Sequence, residues 1–323
     1  MFIRLLISLI GFFGCTNMPP DIRVEQPNFR VLGYLFSQDD WAGGLEEVDW
    51  SVYTDINLAF IQPDREGNFA ANNAYEQVVK TARENRVRVF ISIGGGSPPE
   101  YLADLMTTEN RDLWVEKILE LVLAYDFDGV DVDLENSLIN ENYGPFVKAL
   151  SAELKRSGKL MTAALATWNG DSIPDEILAL YDHINIMSYD ATGPWDLDKP
   201  GQHAPFENAE EDIQYYMEKR GIPADNLLLG LPFYGYGFGP GAPGSLRYWQ
   251  IIQDYPMAYQ QDSLVFQEGG ILYYNGPELI RRKTALARAK GLGGVMIWHI
   301  QADSPGEYSL LDAIRKEIRQ PFK

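Results

Sequence analysis

The chain has one cysteine, Cys15, so a disulfide within the chain is excluded, as is a cysteine-rich zinc cluster. Histidine is almost as scarce. His183, His203 and His299 stand far apart without a metal-ligand spacing, and each reads as a polar core or loop residue rather than a ligand. Positive charge is in deficit, with 27 Lys and Arg against 46 Asp and Glu and a formal net charge of −19. Such a surface repels phosphate-rich partners and argues against nucleic acid. Gly-x-Ser-x-Gly does not occur, which removes the serine nucleophile elbow. No Gly-x-Gly-x-x-Gly follows the first strand-like run, and the alternating Gly235, Gly237 and Gly239 precede no helix, so no dinucleotide or phosphate cradle is expected. A neutral or cationic ligand fits this composition, with no cofactor and no metal.

The N-terminus has an address of its own. Met1-Phe2-Ile3-Arg4 is a short cationic start, Leu5 to Phe13 an apolar run too short for a permanent membrane span, and Gly14 precedes Cys15. Residues 1–14 therefore read as an export signal. A lone cysteine directly behind one resembles the bacterial lipoprotein pattern, in which Cys15 is lipidated and becomes the mature N-terminus. The expectation is an exported lipoprotein anchored at the periplasmic or outer cell surface, with plain secretion as the alternative. Residues 15–28 carry Pro19, Pro20 and Pro27 and no hydrophobic period, as a tether does.

Hydrophobic residues make up 46% of the 323 residues, enough for one large domain. Short β-branched or aromatic runs recur near 30–36, 55–61, 87–93, 127–134, 160–166, 183–188, 227–232 and 294–299. Between them Ala74 to Asn85, Arg111 to Ala124 (with Leu113, Ile118, Leu121 and Val122), Tyr143 to Arg156, Glu207 to Arg220 and Gly276 to Lys290 have helical spacing. Eight such units predict an α/β fold, a (β/α)8 TIM barrel forming a single catalytic domain over 29–323. The longest connection, Tyr234 to Gly293, has room for one helix and a small excursion but not for a large inserted domain.

The stretch Phe127-Asp128-Gly129-Val130-Asp131-Val132-Asp133-Leu134-Glu135-Asn136 is the most informative in the chain. As a strand it sends Val130, Val132 and Leu134 to one face and Asp131, Asp133 and Glu135 to the other. At the ~7 Å repeat of alternate strand residues the three acids couple, which raises at least one pKa toward neutrality. A calcium loop of the EF-hand type needs its glycine inside the acidic run, and Gly129 precedes it. In a barrel the strand ends gather at one rim. Here they bring Tyr34, Phe36, Phe60, Ser92-Ile93-Gly94-Gly95, Trp168, Met187-Ser188-Tyr189-Asp190, Pro232-Phe233-Tyr234 and Trp298 beside Asp133 and Glu135. Aromatic faces among acids and a phenol suit a sugar.

Together these motifs resemble glycoside hydrolase family 18, the chitinases and endo-β-N-acetylglucosaminidases. Its Asp-x-x-Asp-x-Asp-x-Glu signature stands as Asp128, Asp131, Asp133 and Glu135, and Ser92-x-Gly94-Gly95, Met187-x-Tyr189-Asp190, Pro232-Phe233-Tyr234-Gly235 and Trp298 also match, from about residue 30 to 315. The resemblance implies that Glu135 protonates the glycosidic oxygen and then activates water. It implies too that the substrate's own 2-acetamido oxygen is the nucleophile, an exception to the two-carboxylate rule. Asp133 would hold the acetamido N–H and stabilise the oxazolinium intermediate, Asp131 would share a proton with Asp133, and Tyr189 would align the acetamido carbonyl. Tyr34, Phe60, Gly95, Met187, Asp190, Tyr234 and Trp298 are assigned to substrate binding, Trp298 as the floor under the sugar.

The implied partner is an N-acetylglucosamine-containing oligo- or polysaccharide cut with retention at a β-1,4 bond by a monomeric enzyme. Cleavage of the N-glycan chitobiose core, or glycan binding without hydrolysis, are the competing readings. Family chitinases often have Trp, Tyr and Arg where this chain has Gly96, Asn136 and Tyr236, and these departures bear on the leaving-group side of the cleft. Trp41, Trp168, Trp195 and Trp249 are further aromatics for which platform and packing roles compete.

Overall fold

The computed structural model describes residues 29–36 and 41–321; the export signal, Cys15 and the tether lie outside them. Twelve strands occur among the described residues: β1 (Arg30–Phe36), β2 (Asp55–Ala59), β3 (Arg88–Gly95), β4 (Gly129–Leu134), β5 (Leu160–Leu165), β6 (His183–Ile186), β7 (Leu227–Pro232), β8 (Tyr234–Phe238), β9 (Ser245–Arg247), β10 (Ser263–Val265), β11 (Ile271–Tyr273) and β12 (Gly294–Trp298). The strands β1 to β7 and β12 close a parallel barrel, each beside its neighbour in sequence, with β12 between β7 and β1. Every expected strand run falls on one of these eight. Being covered by helices outside and packed inside, the strands are buried on both faces, as β4 is at all six positions.

The helices follow from capping and an apolar stripe. Asn72 Oδ1 accepts from Ala74 N at 2.9 Å and opens Asn73–Glu84. Helices Arg111–Ala124 and Tyr143–Arg156 lie side by side, with the rings of Trp114 and Phe146 stacked at 4.6 Å. The buried face of the first is Trp114, Val115, Ile118, Leu121 and Val122; Leu113, expected in that stripe, is 54% exposed. The stretch expected as one helix over Glu207 to Arg220 is an α-helix, Phe206–Gln214, that widens into a π-turn over Tyr215–Lys219.

Two features exceed the expectation. The 234–293 connection holds two α-helices rather than one, Tyr248–Asp254 and Pro277–Ala289, plus the antiparallel sheet β10-β11-β8-β9. That sheet grows directly out of the barrel, because only Phe233 separates β7 from β8. A last helix, Leu310–Ile318, was not anticipated; it is only nine residues long, and its start is fixed by Ser309 Oγ on Asp312 N and by Asp303 accepting from Leu310 N and Leu311 N.

The barrel's N-terminal end is closed by charge. Arg88 pairs with the fully buried Asp55 at 2.6 Å, and Arg30 contacts His183 Nδ1. Burial and the two arginines push the His183 pKa well below its usual value, so its ring is neutral. Chemistry is therefore directed to the opposite end, where β4 presents its acids.

Candidate active site

Asp131 sits deepest and is gripped from four strands. Tyr34 Oη (2.7 Å, β1) and Ser92 Oγ (2.8 Å, β3) donate to its Oδ2; Thr162 Oγ1 (2.6 Å, β5) and Asn185 Nδ2 (3.1 Å, β6) donate to Oδ1. Its pKa stands above the usual carboxylate value, because burial raises it more than these four hydrogen bonds pull it down. Asp133, one pleat higher, is 3% exposed and, among the described residues, has no donor on Oδ1. Burial, then the charges of Glu135 and Asp131, hold its pKa well above the carboxylate range. Glu135, the first residue past β4, is half-buried, and burial followed by the charge of Asp190 pushes its pKa up to about 7.

Backbone geometry delivers these groups to the rim. Gly94, paired with Asp133 across the sheet, has φ +104°, and a Cβ there would lie 2.2 Å from Asp133 O. A Cβ on Gly95 would lie 2.4 Å from the Phe60 ring, so that ring and β3 can meet only over glycine. Asn136 turns the chain after Glu135 at φ 51°, which asparagine tolerates.

Two adjoining cavities hold part of the expected set: Glu135, Met187, Tyr189 and Asp190 line one and Phe60 and Trp298 the other, while Gly95 lines neither. One of about 710 Å³ is lined by Gly96, Glu135, Trp168, Met187, Tyr189, Asp190, Trp195, Glu211 and Asp212 among others. The other, about 800 Å³, is lined by Phe36, Trp41, Phe60, Gln62, Gly94, Gly96 and Trp298 among others, with no acid or cation among the described residues. Gly96 borders both, and a Cβ there would lie 3.5 Å from Glu135 Oε1. Trp298 stacks on Phe60 (5.5 Å, 24°) and meets the edge of Tyr34 (5.3 Å, 65°). Tyr189 is 7% exposed, and among the described residues its Oη donates to no oxygen or nitrogen, only weakly to Met296 Sδ at 3.8 Å, so the phenol proton is available to a ligand.

Not every expected residue lines the cleft. Tyr34 is 1% exposed and its hydroxyl is committed to Asp131, so it supports the acids from below. Tyr234 donates to Asp190 Oδ1 at 2.5 Å. Of the four undecided tryptophans, Trp41 is buried beside Tyr75, Trp168 and Trp195 are 54% and 61% exposed over the Glu135 cavity, and Trp249 lines a separate cavity with Tyr308. Thr162 and Asn185 escaped the sequence reading; the available signal was the one polar residue of β5 and, in β6, Asn185 alternating with His183 between isoleucines. His203, close to Asp190, carried no motif, and Tyr236, also close to it, stood out only as the residue after Pro232-Phe233-Tyr234-Gly235.

The sequence profile of glycosyl hydrolases family 18 matches residues 30–303. A chitinase from the chitin utilization locus of Flavobacterium johnsoniae is 36% identical, with a TM-score of 0.82 over 90% of this chain and 94% of that one. A chitinase from Bacteroides thetaiotaomicron is 25% identical, with a TM-score of 0.79 over 90% and 96%. Endochitinase 1 of Metarhizium robertsii is 24% identical over 96% of this chain and 84% of its own length, whereas this chain spans only 14% of the probable chitinase 10 of Drosophila melanogaster. The barrel, the acids on β4 and these likenesses place the chain in glycosyl hydrolases family 18, as a chitinase-like glycosidase.

Proposed function

We propose that the protein cleaves β-1,4 bonds next to N-acetylglucosamine in chitin or its oligosaccharides, with retention, by substrate-assisted catalysis. The observation that carries this reading is the graded state of the three acids: Asp131 saturated with donors, Asp133 without one on Oδ1, and Glu135 poised at about 7 at the cavity wall. Glu135 gives its proton to the glycosidic oxygen as the C1–O bond breaks. The 2-acetamido oxygen forms the new bond to C1 and yields an oxazolinium ion. Asp133 passes its proton to Asp131 as the acetamido group docks, so that its Oδ1 accepts the acetamido N–H and opposes the positive charge that develops there, while Tyr189 Oη donates to the acetamido oxygen. Glu135, now ionised, takes a proton from the water that opens the oxazolinium, which restores the enzyme.

Trp298, stacked on Phe60, is the floor for the sugar being distorted, and the exposed Trp168 and Trp195 carry the leaving chain. A polymeric substrate requires action outside the cytoplasm, which agrees with the export signal and the Cys15 anchor read from the sequence. The test is Glu135→Gln with chito-oligosaccharides. The amide keeps the shape but cannot deliver a proton, so turnover is expected to fall by at least ~10³-fold with oligosaccharide binding retained. Turnover near the parental rate would overturn the assignment.

A further inference from the structure

Trp249 belongs to neither catalytic cavity. It is the second residue of the helix Tyr248–Asp254, whose start is tied to the barrel: the fully buried Tyr248 donates its N–H to Phe233 O at 2.9 Å, and Arg247 N donates to Gln250 Oε1 at 2.9 Å. Trp249 falls roughly 100° further round that helix and lines a third cavity, of about 870 Å³. Its ring is half-buried yet joins no part of the hydrophobic core. Among the described residues it has neither a ring partner nor a hydrogen bond.

The rest of the lining has the chemistry of a sugar site. Tyr308 borders the same cavity, its ring held against Tyr259 (5.2 Å, 57°). Ile252, Ile300 and Leu311, each at most 7% exposed, make an apolar floor. Gln253 is exposed at the edge, and neither its amide nor the Tyr308 hydroxyl has a hydrogen-bond partner among the described residues. Charge is used up within the wall. Arg315, the one cation among the described lining residues, pairs with Asp49 (3.0 Å) and Asp312 (2.7 Å), and Asp303 accepts from Ser309 Oγ, Leu310 N and Leu311 N. An anion finds no unpaired cation here, whereas a neutral sugar finds two aromatic faces, an apolar floor and unpaired polar groups.

This cavity adjoins the catalytic cleft. Gln301 lines it, and Gln301 Oε1 accepts from Phe36 N at 3.1 Å while Nε2 donates to Phe36 O at 2.7 Å. Phe36 in turn lines the cavity that holds Trp298, so one hydrogen-bonded pair of residues stands between the two. We propose that the third cavity is a second, non-catalytic sugar site, which holds a segment of an N-acetylglucosamine polymer against Trp249 and Tyr308 while another segment lies in the catalytic cleft. The identity of the sugar rests on the functional reading above; the site itself rests on its own lining. The gain is one of effective concentration. A polymer held at the second site presents its bonds repeatedly to Glu135, whereas a short soluble oligosaccharide occupies one site at a time and gains nothing.

The test has a binding and a kinetic part, both on the full chain. In ¹⁵N-labelled Glu135→Gln protein, the Trp249 indole N–H resonance, identified by its loss in Trp249→Phe, should shift and saturate on titration with chitotetraose. A resonance that stays in place while those of Trp168 and Trp195 move overturns the proposal. With Glu135 intact, Trp249→Ala should slow hydrolysis of insoluble chitin by about 3- to 10-fold and leave kcat and KM for chitotriose at the parental values. Gln253→Ala, a change at an exposed position that leaves the fold alone, should give a smaller loss in the same direction. Equal losses on both substrates, or an undiminished rate on chitin in both variants, overturn the proposal. If Glu135→Gln proves active, the functional reading fails, while the Trp249 resonance still decides whether this cavity takes the sugar.

Discussion

Replacing Asp131 by alanine removes the one acceptor that four buried donors share. Each orphaned donor costs about 1–3 kcal/mol. Three of the four are hydroxyls, which can turn toward one another or toward a water entering the vacated space. The fourth, Asn185 Nδ2, also lies 3.4 Å from Tyr34 Oη and so keeps a neighbouring acceptor. Loss of a buried carboxylate also returns its desolvation cost. These offsets bring the net destabilisation to about 3–6 kcal/mol, a large share of the 5–15 kcal/mol typical of a whole domain. Asp131→Asn keeps one acceptor oxygen, and its NH2 can donate to hydroxyls turned about, so it should cost only about 1–2 kcal/mol. Urea unfolding of the parent and both variants measures the ordering directly. An alanine variant within about 1 kcal/mol of the parent would refute the claim that this network holds five strands together.

Glu135 should keep its proton up to about pH 7, so kcat/KM should be level on the acid side and fall about tenfold per pH unit above it; an alkaline limb centred below pH 5.5 would contradict this. The same raised pKa gives stability that is complete below about pH 4.5 and lost as pH rises through 7, on the order of 3 kcal/mol, and Glu135→Gln should abolish that slope in urea melts. For Lys283 the sign reverses: the unfolded chain holds the proton to about 10.5 and the folded one only to about 7, so this site adds stability as pH rises between them. Lys283→Met should flatten the rise, and an unchanged slope would show that the ammonium is solvated. Trp168→Ala should raise KM for long chito-oligosaccharides by about 3- to 10-fold without lowering Tm, since the ring is 54% exposed; an unchanged KM would remove it from the binding surface.

The barrel was legible because its signals are local. Eight runs that bury both faces leave the same imprint wherever they occur, and three acids alternating with Val130, Val132 and Leu134 have no ordinary structural explanation. What stayed hidden depends on direction and closure. Tyr34 and Trp298 both stand on strands as aromatic residues, yet one turns its hydroxyl down to Asp131 and the other stacks on Phe60 at the cavity. Trp41 and Trp195 differ only in the path of their loops, which buries the first and leaves the second 61% exposed. His203 and Tyr236 meet Asp190 only because β8 leaves the barrel beside β7 and the 191–205 loop folds back under it. Leu113 carried the right spacing and still faces water, because the helix turns Trp114 inward to stack on Phe146.

The distribution of donors explains why three acids on one strand can coexist without a cation among them. Arg30 and Arg88 stand at the barrel's far end, by Asp55 and His183. At the catalytic end neutral donors do the work, and among the described residues they are unequally placed: four on Asp131 and none on Oδ1 of Asp133. A carboxyl supplied with donors is stabilised as the anion, and one deprived of them keeps its proton. The charge therefore settles at the bottom of the stack, and the protons remain near the top, within reach of a glycosidic oxygen. With the same donors gathered around Glu135 instead, the residue at the cavity wall would be an ionised carboxylate, and the strand would carry the same sequence of acids with no proton to give.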